Sequence, residues 1–252
     1  MTRLRWYDIA AIALAIAVIA GFAMVFGSSS GRADHPAPSD LHSERSLVAS
    51  DERPTALFIG DSYTEGASAR EMSYVCTAAT RMGWLCDLAA RGGTGYISGG
   101  PANRTTDEYL GPTTSFSERI AHLAVQYDPD IVVLDGGRND HFPPREDVFK
   151  AMRQTIADAR RAWPDARIVF ARPRYLAKPG DDLGFDDEFM ARLESDPAAE
   201  GVVFLDPIAS FSGTDTSALL SADGIHPNPR GYRELGSALV ESLTEHGMAD
   251  AS

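Results

Sequence analysis

Five short apolar runs limit what this chain can fold into: residues 55–59, 84–89, 131–134, 167–171 and 202–205. Each is four to six residues long and rich in β-branched, aromatic or leucine side chains, which suits strands buried on both faces rather than helices. Between them lie stretches with helical spacing. One covers 67–82 and stops at Gly83; one is capped by Thr114 or Ser115 and runs to about Tyr127; one opens on Pro143 and Pro144 and runs to about Trp163; the last covers 229–246. Alternation of this kind predicts a doubly wound parallel sheet with helices on both faces. With 252 residues, 44% of them hydrophobic, and no internal repeat, the chain holds one such domain.

The N-terminus differs in kind. Arg3 and Arg5 precede Trp6 and Tyr7, and residues 9–26 then carry no charge. As a helix that run measures about 27 Å, close to a hydrocarbon core of roughly 30 Å. It exceeds the roughly 7–15 residue apolar region of a cleavable signal peptide. The expectation is therefore a transmembrane anchor with its N-terminus inside and the domain outside, with a secreted, cleaved form as the alternative. Residues 1–27 read as cytoplasmic tip and membrane helix, 28–54 as a flexible linker rich in Ser, Pro, Asp and Arg, 55–247 as the folded domain and 248–252 as a tail.

The formal charge is −13, of which −12 falls after residue 54, so nucleic acid is not an expected partner. Gly27-Ser28-Ser29-Ser30-Gly31 matches the G-x-S-x-G pattern, but it follows a membrane run rather than a sheet strand, and Ser29 is rejected as a nucleophile. The only two cysteines, Cys76 and Cys86, would join the first helix to the second strand in an oxidising compartment, or remain two buried thiols; two ligands are too few for a metal site.

Four segments carry polar chemistry. The first run ends in Gly60-Asp61-Ser62-Tyr63-Thr64-Glu65-Gly66. Ligands gather at the carboxyl ends of parallel strands, which makes Ser62 a candidate nucleophile; a plain helix cap is the competing reading of that stretch alone. Arg91-Gly92-Gly93-Thr94-Gly95-Tyr96 follows the second run and lacks the last glycine of a dinucleotide fingerprint. Gly137-Arg138-Asn139-Asp140 follows the third, where Asn and Asp would also suit a simple turn. Asp223-Gly224-Ile225-His226-Pro227 places a carboxylate three residues before an imidazole it can orient. His141 is the competing base. Arg172 and Arg174 follow the fourth run and would meet an anionic substrate or, preferably, the acidic surface; residues 181–188 read as the solvated start of a helix, since they lack the spacing of a calcium loop.

In this order the four blocks resemble the SGNH hydrolases, or GDSL esterases, over residues 55–243. The resemblance implies Ser62 as nucleophile, His226 as general base and acid, and Asp223 as the orienting carboxylate. It implies oxyanion donors at the Ser62 backbone N–H, at a glycine N–H of the second block and at the Asn139 amide, with Asp140 holding the loop. The block aligns that glycine with Gly95, and Gly93 is the next choice; Ala90 stands where many members have asparagine. No metal or organic cofactor is implied.

The architecture expected is a single flavodoxin-like, doubly wound, parallel five-stranded sheet flanked by helices and preceded by the transmembrane helix. The function expected is an extracytoplasmic serine esterase that hydrolyses short O-acyl esters, such as acetyl, on a small-molecule or glycan substrate, with glycans or lipids of the cell envelope as the natural targets. An O-acyltransferase built on the same triad, or a non-catalytic glycan-binding module, are the alternatives; the joint presence of Ser62, Asp223, His226 and Asn139 opposes the last.

Overall fold

Strand β1 (Thr55–Gly60) lies at the heart of the sheet, with every residue after Thr55 buried. It pairs in parallel with β2 (Leu85–Ala90) on one side and β3 (Ile131–Asp135) on the other. Strands β4 (Arg167–Ala171) and β5 (Val203–Leu205) continue outward from β3, also in parallel. The computed structural model describes residues 53–66 and 73–249 of the chain. The spatial order 2-1-3-4-5 is the flavodoxin-like one, and it reverses direction between β1 and β3. The connections leaving β1 and β3 therefore diverge to opposite sides and open a crevice at their carboxyl ends.

Side chains alternate across β1. Ala56 and Phe58 join Val133, Val169 and Leu205 on one face, where α1 (Tyr74–Arg81) and α5 (Pro229–Glu245) cover them. Leu57 and Ile59 join Val132, Leu134 and Phe170 on the other, under α2 (Phe116–Gln126), α3 (Arg145–Ala162) and α4 (Asp187–Glu194). The period of two thus feeds two separate cores from one strand.

Three boundaries differ from the sequence reading. The first helix begins at Tyr74 rather than at residue 67, because Ser73 sits in extended backbone (φ −70°, ψ 130°) as its N-cap; residues 67–72 lie outside the described ones. In the acidic stretch the helix starts only at Asp187: Asp186 caps it by accepting the Phe189 N–H, while Asp181 and Asp182 close turns on the N–H groups of Leu183 and Gly184. Met248 belongs to the core, so the packed chain passes the expected boundary at 247. The long loop between β2 and α2 contains a two-residue ribbon, Thr106–Asp107 against Gly111–Pro112. The expected membrane helix and linker lie on residues outside the described ones; among the described residues no helix is long and apolar enough to cross a membrane.

Cys76 of α1 and Cys86 of β2 are joined by a disulfide. By loop entropy a bridge closing a ring of this size stabilises the fold by about 3 kcal/mol. Replacing both cysteines by alanine is expected to lower the unfolding free energy by about that amount in urea titrations; an unchanged midpoint would show that the bridge constrains nothing.

Candidate active site

The turn after β1 is forced by size. A Cβ on Gly60 would lie 2.0 Å from the Thr64 hydroxyl oxygen, so only glycine lets the chain reverse there. Asp61 then caps a single helical turn, Ser62–Glu65, by accepting the Tyr63 N–H at 3.0 Å. Ser62 is thereby fixed as the first residue of that turn, at the carboxyl end of the central strand.

The loop before α5 brings the other polar groups to it. His226 Nε2 lies 2.9 Å from Ser62 Oγ, and His226 Nδ1 lies 2.7 Å from Asp223 Oδ2. The second carboxylate oxygen, Oδ1, accepts the backbone N–H groups of Ile225 at 2.9 Å and His226 at 3.0 Å. Asp223 is held at both oxygens. Its hydrogen bond to the imidazole, followed by those two N–H groups, lowers its pKa to about 2. An ionised Asp223 assigns the proton of the neutral ring to Nδ1 and leaves the Nε2 lone pair facing the serine hydroxyl. Hydroxyl, imidazole and carboxylate therefore form one line along which a proton can leave Ser62.

Two residues that sequence reasoning passed over hold this line in place. The Tyr63 hydroxyl donates to the Ile225 carbonyl at 2.6 Å and accepts the Leu176 N–H at 3.2 Å, so the serine turn and the histidine loop are clamped together. Arg138 is buried below the turn. Its guanidinium reaches Asp61 at 3.2 Å, Asp135 at 3.1 Å and the Arg174 carbonyl at 2.7 Å, and it stacks 4.5 Å from the Tyr63 ring centroid. Burial pushes Asp61 above the ordinary carboxylate range, although Arg138 opposes it; burial also weighs against the Arg138 cation, but the two carboxylates hold it well above its usual value. The only sequence signal for this hub was an arginine between glycine and asparagine at a strand end.

Asn139 donates its side-chain amide to the Thr94 carbonyl at 2.9 Å, which joins the third block to the second. Asp140 accepts three successive N–H groups, from Tyr96 at 2.7 Å, Ile97 at 3.2 Å and Ser98 at 2.8 Å, and so fixes the same loop. Burial raises its pKa even so.

The expectation for Gly95 needs correcting. Its N–H donates to the Ser98 carbonyl at 3.0 Å, and a Cβ there would fall 2.4 Å from an Asp140 carboxylate oxygen. Gly95 exists to let Asp140 approach, and its N–H is already engaged. Gly93, the next choice, takes a left-handed φ of +71° in open space. Gly92 is the glycine beside the nucleophile: a Cβ on it would lie 3.5 Å from Ser62 Cβ, and its N–H donates to Glu65 Oε2 at 2.7 Å.

His141, the competing base, bonds instead to the Arg138 carbonyl at 3.3 Å and lines a cleft. That cleft, of about 490 Å³, lies beside the histidine loop between Tyr175, Lys178, Leu183, Gly224 and Ile225. Arg172 pairs with the exposed Asp187 at 2.8 Å, whereas Arg174 is buried against Asp206 at 2.8 Å.

Comparison with known proteins identifies the family. The description of the GDSL-like lipase/acylhydrolase family matches residues 58–234. A GDSL lipase of Mycobacterium tuberculosis is 31% identical over 201 residues, covering 74% of this chain and 80% of that protein. Among solved structures, a family two carbohydrate esterase from Clostridium thermocellum superposes with a TM-score of 0.56 at 24% identity, over 77% of this chain and 64% of its own. The psychrotrophic esterase EstA from Pseudoalteromonas sp. does so with a TM-score of 0.57 at 16% identity, over 77% and 98%. At these identities the two structures speak for the fold alone.

Arg138→Met strands two buried carboxylates, and removing one partner of such a buried group costs about 3–5 kcal/mol. Urea unfolding of this variant is expected to show a loss of that size; a loss below about 1 kcal/mol, the scale of an exposed pair, would contradict the hub.

Proposed function

The chain belongs to the GDSL-like lipase/acylhydrolase family, an SGNH-type esterase family, and from that premise we propose that Ser62, His226 and Asp223 hydrolyse O-acyl esters through a covalent acyl-enzyme. The observation that carries this reading is the hydrogen-bonded line from Ser62 Oγ through His226 to Asp223.

His226 Nε2 takes the hydroxyl proton as Ser62 Oγ attacks the ester carbonyl. The oxyanion formed meets the Ser62 N–H, which opens a helical turn and has no intrahelical acceptor, and the second amide hydrogen of Asn139. The glycine loop packs beside the nucleophile at Gly92, whose own N–H is turned to Glu65. Protonated His226 then gives its proton to the departing alkoxide. Water, deprotonated by the same nitrogen, attacks the acyl carbon; the bond to Ser62 Oγ breaks, His226 returns the proton to Oγ and the acid leaves. Asp223 stays anionic throughout and stabilises the imidazolium.

The Cys76–Cys86 bridge supports an oxidising setting, and with the apolar run at 9–26 it favours an extracytoplasmic, membrane-anchored enzyme. The mycobacterial relative is named a lipase and the Clostridium neighbour a carbohydrate esterase. The substrate we assign is a short-chain acyl ester, acetyl included, on a lipid or glycan of the cell envelope.

Assays of the full chain on p-nitrophenyl acetate and butyrate test this. Ser62→Ala or His226→Ala is expected to reduce kcat by about 10⁴-fold or more, and Asn139→Ala by about 10²–10³-fold; full activity in Ser62→Ala would refute the assignment.

The pH dependence is a separate check. Asp223, with its pKa at about 2, is ionised wherever the protein is assayed. Protonation of Asp223 therefore gives no acid limb in an ordinary assay range, and since a base must be unprotonated to take the Ser62 proton, a rate that stays flat down to pH 4 excludes a histidine base. Since these side chains handle every proton and charge in the cycle, EDTA is expected to leave the rate unchanged.

A further inference from the structure

Arg119, on α2, is a half-buried cation that the triad does not use, and among the described residues no carboxylate pairs with it. Its guanidinium is held by neutral acceptors instead. Nη1 donates to the carbonyls of Gly60 at 3.1 Å and Ala89 at 2.5 Å; Nη2 donates to the Thr94 hydroxyl oxygen at 2.8 Å and the Thr114 carbonyl at 3.2 Å. Burial, followed by repulsion from Arg91, lowers its pKa to about 10 and outweighs the pull of Asp61 and Glu65. By contrast Arg138, Arg172 and Arg174 each meet an aspartate. Withdrawing a charge from water without a counter-ion is costly, so the identity of the four acceptors bears on what Arg119 does.

Those acceptors frame the catalytic rim. Gly60 closes β1 and immediately precedes Asp61 and Ser62, Ala89 lies at the end of β2, Thr94 sits in the glycine loop, and Thr114 leads into the Ser115 cap of α2. Thr94 connects them to the reaction. It is fully buried, and its hydroxyl donates to the Arg91 carbonyl at 2.7 Å, which leaves an oxygen lone pair for Arg119. Its own carbonyl accepts the Asn139 amide at 2.9 Å. Asp140 fixes the same loop only from Tyr96 onward. The position of Thr94, and through it the direction of the Asn139 amide, therefore depends on the guanidinium.

We propose that Arg119 is a positioning residue for ester hydrolysis: through Thr94 it holds one hydrogen of the Asn139 amide on the Thr94 carbonyl and so aims the other at the oxyanion. The inference rests on the esterase reading and adds to it a residue that touches neither the ester nor the nucleophile. A planar fork of five N–H donors can hold two strand ends and a loop together, which the point charge of a lysine does not. Arg119 also lies 5.3 Å from the Phe116 ring centroid, so a general scaffold role for α2 is the competing account.

A double-mutant cycle on the full chain separates the two. With p-nitrophenyl butyrate, Arg119→Met is expected to lower kcat by about tenfold, less than Asn139→Ala because it acts only through that residue, and to leave KM within about twofold. In the Asn139→Ala background the same substitution is expected to lower kcat by less than about twofold, since the group it positions has gone. A full tenfold loss in that background, an unchanged kcat in the single variant, or a loss carried by KM overturns the proposal. Should Arg119→Met fail to fold, Thr94→Val removes the hydroxyl that the guanidinium holds while keeping the branched shape, and the same pattern is expected of it.

A second readout does not depend on turnover. The chain has three asparagines, Asn103, Asn139 and Asn228, so side-chain labelling with [15N]asparagine gives three amide pairs, and the pair missing from Asn139→Ala belongs to Asn139. In Arg119→Met, or in Thr94→Val, the Asn139 pair is expected to shift and its proton on the Thr94 carbonyl to exchange faster with solvent, while the Asn103 and Asn228 pairs stay in place. An unmoved Asn139 pair overturns the proposal, as does an equal shift of all three. A parent protein inert towards the ester would refute the esterase reading instead, and the amide signals would still decide whether Arg119 fixes Asn139.

Discussion

The site depends on one buried cation. Arg138 meets Asp61 just past β1, Asp135 at the end of β3 and the carbonyl of Arg174 past β4, so a single guanidinium ties three strand ends together. Burying charge is costly, and the cost is recovered only where hydrogen bonds satisfy every remaining lone pair. Here they do. Thr64 donates to Asp135 at 2.7 Å, Tyr74 donates to the same carboxylate oxygen, and Asp61 also receives the Tyr63 N–H. Close packing completes the hub: a Cβ on Gly136 would strike the Phe116 ring at 2.4 Å. The turn that presents Ser62 is consequently held from below, by charge and shape together, and it cannot shift without leaving a buried ion unpaired.

A second fixed body faces it. Asp140 gathers three N–H groups of the glycine loop, and Asn139 reaches across to Thr94, so the second and third blocks move as one. Tyr63 supplies the last tie, from the serine turn to the histidine loop. Preorganisation of this kind lets a hydroxyl, an imidazole and a set of donors meet with little rearrangement during the reaction.

The strands and the polar blocks were legible in the sequence because their signals are local: four to six apolar residues, then a turn residue. What was not legible is what joins them. Tyr63 and Ile225 are 162 residues apart, and Arg138 and Asp61 are 77 apart, so no window of sequence shows either contact. Gly95 failed for a different reason. A glycine is required both where a backbone N–H must face a ligand and where a neighbouring side chain needs the room of a missing Cβ, and the sequence does not say which. Asp140 against Gly95 decides it. The first helix begins at Tyr74, later than its apolar spacing suggests, because Ser73 in extended backbone is its N-cap.

The four functional or supporting carboxylates reveal how the chain sorts its charges. Asp61, Asp135 and Asp140 are buried and depend on Arg138 or on backbone N–H groups for their place. Asp223 is half exposed, and its low pKa comes from hydrogen bonds rather than from a counter-cation. Keeping it near water holds it anionic without a buried ion pair, but high dielectric also weakens its pull on the imidazolium. An ester bound over the triad removes that water and strengthens the pull at the moment charge develops.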